Sequence, residues 1–241
     1  MRRLVLVRHG ESLWNAEGRM QGQACNGLSP TGHAQAEAAA TALAAAYPQA
    51  RLVSSDLQRT METVAPLIEA LGTEVTADAG LRERSFGSWE RRLRRDVRVE
   101  EAERWQRWTG GEDVIGEVGG ETASRLADRV TPVFLRLLAE TDVGDVTIAV
   151  THGGPIWHGT HRLMGFPPPL LGSVANASVT EFVVYGEVDR ASGRVDGDLV
   201  MDRWNEVAHL PVALRTAWRP ARPPVGLPPA DVPSRDEVAA G

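Results

Sequence analysis

The chain of 241 residues contains no lysine; all 26 of its basic side chains are arginine. That excludes a Schiff-base lysine and the lysine of a phosphate-binding P-loop, and nucleotide-composition bias is the simplest origin of the pattern. Cysteine is nearly absent too. Cys25 stands alone, so no intrachain disulfide and no thiolate metal cluster can form, and no sequence feature supplies it with a base. No apolar run approaches the ~20 residues that span a bilayer. The first residues enter a strand without an apolar signal region, which predicts a cytoplasmic location. A positive excess is also missing: the net charge of -6 argues against nucleic acid or an anionic membrane as partner. Any positive field must be local.

What is present reads as one α/β domain over 1–210 with a small helical cap inserted at about 84–120, followed by a Pro-rich tail over 211–241. Two short apolar runs, Leu4-Val5-Leu6-Val7 and Val146-Thr147-Ile148-Ala149-Val150, each lead into His-Gly, at His9-Gly10 and His152-Gly153. Runs of this kind suit interior strands of a mostly parallel sheet covered by helices on both faces, a three-layer α/β/α arrangement. Ligand crevices in such sheets lie beyond the carboxyl ends of the strands. Both imidazoles are therefore expected in one pocket, with Arg8 beside them.

Further along, Thr31 is positioned to cap a helix over 32–46, and Ser54-Ser55-Asp56 to cap the helix that carries Arg59. Residues 74–77 suit a third strand, 81–90 a loop, and 91–108 one exposed amphipathic helix of the cap. Gly119-Gly120-Glu121-Thr122 opens a long helix to about Glu140, and another runs over about 155–164. Residues 179–185 and 198–203 suit a hairpin at a sheet edge, and from Pro211 the composition suits an extended or mobile tail.

Phosphoryl transfer needs an in-line nucleophile, donors on the equatorial oxygens and a proton for the leaving group. His9 suits the nucleophile, its second ring nitrogen donating to a backbone carbonyl. Arg8 and Arg59 offer planar forks, each expected to bind phosphate bidentately. His152 suits a donor, best as imidazolium, and Glu83 a general acid, which must hold a proton near neutrality. Arginine and histidine carry the balancing charge, so no metal and no cofactor is expected.

The ordered set Arg8-His9-Gly10-Glu11-Ser12, Trp14-Asn15, Ser55-Asp56-Leu57-Gln58-Arg59-Thr60, Leu81-Arg82-Glu83, Phe86-Gly87-Ser88-Trp89-Glu90, Gly119-Gly120-Glu121 and His152-Gly153-Gly154 resembles the histidine phosphatase, or phosphoglycerate mutase-like, superfamily. The resemblance implies a phosphohistidine on His9, a phosphate pocket of Arg8, Arg59 and His152, and Glu83 as proton donor. It also places Asn15, Gln21, Gly22 and the Gly153 amide at that pocket, and Asn176 near it. Two positions depart from the pattern: Arg91 stands where a Gly is usual after Trp-Glu, and Asn26 where an acidic residue is usual. Both touch the cap and its approach, and so the substrate rather than the reaction.

The short 18–23 loop is similar to the phosphatase branch, since the mutase branch carries a longer insertion there. The stretch from Asn176, with Trp204-Asn205, is similar to actinobacterial glucosyl-3-phosphoglycerate phosphatases. A metal-independent phosphomonoesterase acting on a small phosphorylated metabolite, a sugar phosphate or phosphoglycerate type, is the expected function. A 2,3-bisphosphoglycerate-dependent mutase and a catalytically silent phospho-ligand-binding protein are the alternatives. A second copy of the chain, as a homodimer, is left open as a partner. His158 and His161, three apart on a helix, are read as packing rather than metal ligands, as are Trp14, Trp89, Trp105 and Trp108 rather than a sugar platform. Of Arg84, Arg91, Arg92, Arg94 and Arg95, any one is open as a contact to a second acidic group; otherwise they form a solvated face.

Overall fold

Four consecutive side chains decide the centre of the molecule. Leu4, Val5, Leu6 and Val7 are all buried, and the two-residue period of a strand sends Leu4 and Leu6 into one apolar cluster and Val5 and Val7 into another. The computed structural model describes residues 1–24, 26–167, 170–189 and 191–216. Cys25 and the tail from 217 onward lie outside the described residues.

Strands β1 (Arg2–Arg8), β2 (Arg51–Ser54), β3 (Val75–Ala77), β4 (Val146–Thr151), β5 (Val179–Val188) and β6 (Val195–Glu206) form one sheet in the order β3-β2-β4-β1-β5-β6. β3, β2, β4 and β1 are parallel, and β5 runs antiparallel to both of its neighbours. The hairpin is longer than the composition suggests, but β6 does form the edge. Helices α1 (Leu13–Glu17), α2 (Pro30–Ala46) and α3 (Gln58–Leu71) precede the cap stretch, which holds α4 (Arg94–Glu100) and α5 (Ala102–Thr109); α6 (Ala123–Glu140) and α7 (Gly153–Met164) follow. Ala39, Ala40 and Leu43 of α2 with Val64 and Leu67 of α3 cover the Val5–Val7 face. Val130, Phe134 and Leu137 of α6 with Ile156 of α7 cover the other. The fold is therefore three-layered around a mostly parallel sheet.

The expected helix caps need correction. Ser29, not Thr31, caps α2, accepting the Gly32 N–H at 3.0 Å, because Pro30 needs no donor and begins the helix two residues earlier. α3 starts at Gln58 after Leu57, without a side-chain cap; Ser55 accepts the Leu57 N–H only at 3.4 Å, and Asp56 pairs instead with Arg82.

The single helix expected over 91–108 is two helices. Arg91 has a left-handed backbone (φ 71°), which bars it from a helix, and Leu93 bridges to Arg19. The chain breaks again at Glu101 (φ -126°, ψ 45°). That break allows Val97 of α4 and Trp105 and Trp108 of α5 to meet Met20, Trp89, Val114 and Ile115 in a third, separate apolar cluster. The first tail residues are also ordered against the domain: Leu210 is buried, Leu214 accepts a hydrogen bond from Gln35 at 2.7 Å and Thr216 one from the Asn176 N–H at 3.2 Å. Among the described residues no helix is long and apolar enough to cross a membrane.

Candidate functional site

The parallel register of β1 and β4 pairs Arg8 with Thr151, so His9 and His152, the next residues, leave the sheet side by side. Their ring centroids are 5.2 Å apart with planes at 62°. Both are buried. His9 Nδ1 lies 2.7 Å from the Gly10 carbonyl. A carbonyl only accepts, so Nδ1 carries the hydrogen and Nε2 keeps its lone pair. Burial, then Arg59 and Arg8, hold the His9 pKa well below its usual value, which preserves the neutral ring.

Arg59 occupies the first turn of α3 and is fully buried. Its Nε donates to His152 Nδ1 at 3.2 Å, its Nη2 to the Gly22 carbonyl at 2.9 Å and its Nη1 to the Ala24 carbonyl at 3.2 Å. Arg8 donates through Nη1 to the Val174 carbonyl at 2.5 Å, while its buried Nε has no hydrogen-bond partner. Burial brings the Arg8 pKa down to about 10, opposed by Glu83. Neither arginine offers a bare fork: Arg59 is turned onto protein acceptors, and on Arg8 it is Nε that stands unpartnered.

His152 differs from the imidazolium expected. A guanidinium can only donate, so Nδ1 accepts from Arg59 and the ring is neutral. Burial, followed by Arg59, His9, Arg8 and Arg129, holds its pKa well below the ordinary value. Its Nε2 lies 2.9 Å from Ser55 Oγ.

Glu83 reaches the same place from the loop after β3. Its Oε1 accepts the Arg84 N–H at 2.8 Å and its Oε2 the Gly154 N–H at 3.3 Å, beside the start of α7. Glycine at 154 leaves room for that carboxylate, since a Cβ there would meet Glu83 Oε1 at 2.2 Å and push it aside. Gly153 opens α7, and a Cβ on it would stand 3.4 Å from Arg8 Nε. The helix thus directs the positive end of its dipole at the cluster.

Asn15 and Asn176 join the floor together: Asn176 Nδ2 donates to the His9 carbonyl at 3.1 Å and to Asn15 Oδ1 at 3.3 Å. Gln21 is one step removed, its Oε1 accepting from Ser12 Oγ at 2.8 Å. Gly22 has a left-handed backbone (φ 54°) and contributes its carbonyl to Arg59. Arg8, His9, Arg59, Glu83, His152 and Gly153 are therefore brought together, with Asn15 and Gly22 against them.

Two residues escaped sequence reasoning. Ser55 was legible only as a cap, and Glu90 only as part of Trp-Glu. Glu90 accepts the N–H groups of Gln23, Ala24 and Phe86 at 3.2, 3.1 and 2.9 Å and the Ser85 hydroxyl at 3.0 Å, fixing the loop whose carbonyls hold Arg59. An acidic residue between Trp89 and a position where the family usually carries Gly is the available signal.

Among the described residues no three His, Cys, Asp or Glu side chains gather in a way that could hold a metal ion. His161 donates through Nδ1 to the Trp157 carbonyl at 2.7 Å and lies 3.9 Å from the Trp157 ring, as packing requires. Of the cap arginines, Arg84 is buried against Asp113 and Arg92 pairs with Glu100 and Glu101. Arg94 begins α4, with its N–H on the Gly18 carbonyl at 2.9 Å.

Comparison with known proteins identifies the family and the fold. A family model described as histidine phosphatase superfamily (branch 1) matches residues 4–196. A glucosyl-3-phosphoglycerate phosphatase of Mycolicibacterium vanbaalenii is 35% identical over 221 residues, 87% of this chain and 97% of its own. A protein of Citrobacter koseri named probable phosphoglycerate mutase GpmB is 36% identical over 168 residues, 69% of this chain and 77% of its own. The solved structure of a mycobacterial glucosyl-3-phosphoglycerate phosphatase in complex with VO3 superposes with a TM-score of 0.74 at 31% identity, covering 86% of this chain and all of that one.

Proposed function

The chain belongs to branch 1 of the histidine phosphatase superfamily and is a phosphatase of that family; from that premise we propose that it hydrolyses small phosphomonoesters, without a metal, through a phosphohistidine on His9. The observation that carries this reading is the His9 Nδ1–Gly10 hydrogen bond, which leaves Nε2 as the attacking atom. In the first step Nε2 forms a bond to phosphorus as the ester oxygen leaves, and Glu83 in its acid form gives that oxygen its proton. In the second, the Glu83 carboxylate takes a proton from water as the water oxygen attacks the phosphohistidine, restoring His9 and releasing inorganic phosphate. Arg8 Nε, Arg59 and the Gly153 amide stabilise the equatorial oxygens. Asn15, through Asn176, keeps the His9 backbone in place, and Gln21 and Gly22 hold the loop beside Arg59.

For the substrate we propose a sugar phosphate or a phosphoglycerate-type ester, approached under the 84–120 cap. The similarity over nearly the full length of a glucosyl-3-phosphoglycerate phosphatase supports that class. The test is release of inorganic phosphate from a panel of sugar phosphates and phosphoglycerates, with isomerisation of 3-phosphoglycerate followed in parallel. Phosphate release is expected to dominate. Fast isomerisation with negligible release would establish a mutase instead, and tight vanadate binding without turnover would establish a binding protein.

A further inference from the structure

Ser55 follows β2, and its role as a helix cap is weak, since the Leu57 N–H reaches it only at 3.4 Å and α3 has no side-chain cap. Its backbone is fastened independently of its hydroxyl. The Ser55 N–H donates to the Val150 carbonyl at 2.9 Å, and its own carbonyl accepts from Ser54 Oγ at 2.9 Å and Thr60 Oγ1 at 2.8 Å. The hydroxyl is thus delivered to a fixed point, 2.9 Å from His152 Nε2. Neither Ser55 nor His152 has measurable exposure, so water is no substitute for either partner.

The direction of the bond follows from the other side of the ring. Arg59 Nε has only a hydrogen to offer to His152 Nδ1, so Nδ1 must present a lone pair, and the ring hydrogen must sit on Nε2. Ser55 Oγ is the acceptor of that hydrogen. Left to itself a neutral imidazole populates both tautomers; here the other one would place an N–H against a guanidinium N–H, so Arg59 selects the tautomer and the Ser55 hydroxyl, able to accept as well as donate, takes the Nε2 hydrogen that results. We propose that Ser55 is a positioning residue that accepts the Nε2 hydrogen of His152 and so holds the ring in the orientation that keeps Nδ1 on Arg59. The charged and titratable groups facing the ring are Arg59 of α3, Arg8 and His9 at the end of β1 and Arg129 of α6. None of them accepts a hydrogen bond from Nε2 among the described contacts, which leaves that task to Ser55.

The assignment rests on His152 belonging to the phosphate pocket, and the experiment separates the two. Ring-nitrogen NMR of histidine-labelled protein, with the His152 signals identified by their loss in H152Q, reads the tautomer without any substrate. Wild-type protein is expected to show a protonated Nε2 and a lone pair on Nδ1. S55A is expected to move the Nε2 signal, whose hydrogen bond is lost, and to lower kcat by about 10-fold, the loss of roughly one hydrogen bond, with KM nearly unchanged and an altered pH profile. S55T, which keeps the hydroxyl, is expected to restore both readouts. A hydrogen on Nδ1 in the wild type, or wild-type ring signals in S55A, overturns the proposal. Wild-type protein without turnover would sink the phosphatase reading alone and leave the ring spectrum to decide Ser55.

Discussion

The strand-end floor and the cap stretch are built on different terms. On the floor, each proposed reactive group is tied to backbone, the buried His9 to Gly10, the buried Arg59 to Gly22 and Ala24, and the half-buried Glu83 to Arg84 and Gly154, all braced by the two large cores on either side of the sheet. The cap stretch rests on one small aromatic cluster around Trp89, with Trp105 and Trp108 packed edge-on and tilted against it. Its outer side is laced by exposed pairs such as Arg107 with Glu112 and Glu117 and Arg104 with Glu117, which solvent screens and which add little. The strand-end groups are thus over-determined, while the cap stretch, under which the substrate is proposed to approach, is lightly held. Glu90 is where the two meet, because it fastens the 22–24 loop that in turn holds Arg59.

The largest test of that contrast is H9A. Turnover is expected to fall by on the order of 10⁴-fold or more, as for other removed nucleophiles, with no phosphoenzyme detectable by mass spectrometry and the cap's hydrogen exchange unchanged. Persistent labelling would remove His9 from the reaction. Next comes E83Q, expected to slow alkyl phosphates by about 10²–10⁴-fold while aryl phosphates, whose leaving group needs no proton, suffer much less. Equal slowing of both, in steady-state kinetics on the two ester classes, would deny Glu83 the acid role.

W89A attacks the other region. Loss of a fully buried tryptophan is expected to cost about 3–5 kcal/mol, with hydrogen exchange rising across 86–118 well before β1 and β4. Uniform loss of protection would mean that the cap and the sheet unfold as one unit, and the contrast would fail.

Acid tests the floor's histidines and their neighbours. His158 is held down to about 4 by burial, with Arg84 and His161 adding and Asp113 opposing, and His9 and His152 also lie below the usual value. Between pH 6.5 and 4 the unfolded chain binds protons that the folded one refuses, so stability falls as pH drops through that window. His158 alone sets a scale of at most about 3 kcal/mol. Denaturant melts at pH 7 and pH 5 give the value, and a protein no weaker at pH 5 would contradict the sign. The smallest effect is expected from R91G, about 1 kcal/mol of added stability from relief of a left-handed non-glycine residue, visible as a modest rise in melting temperature.

Short-range rules made much of this legible in the sequence. The apolar runs of β1 and β4, the Thr122 start of α6 and the Gly after each His depend on neighbours a few residues away. The convergence of Arg8, His9, Arg59, Glu83 and His152 was legible too, through strand-end logic and the ordered motifs. What escaped depends on partners remote in the chain. Ser55 meets a ring 97 positions away and Glu90 a loop 66 and 67 positions away, and no local pattern encodes either. The break at Glu101 follows from Trp105 and Trp108 seeking Trp89, which a periodicity count over one window cannot register. The protonation of His152 depends on a guanidinium delivered by a different helix. Arg91 shows the reverse case: its departure from the family's glycine was visible, and the positive φ supplies the reason glycine suits that place.

The position of β1 between β4 and β5 has a consequence for how the molecule is born. A ribosome releases this strand ahead of β2 and β3, yet both of its permanent neighbours, β4 and β5, emerge only after those two. Until then its apolar residues lack these two partners, and His9, the proposed nucleophile that follows it, has no companion ring. Closure over so long a span is entropically slow, and an orphaned apolar strand invites off-pathway association. Competence for the proposed reaction therefore waits until β1 is enclosed between two strands synthesised well after it.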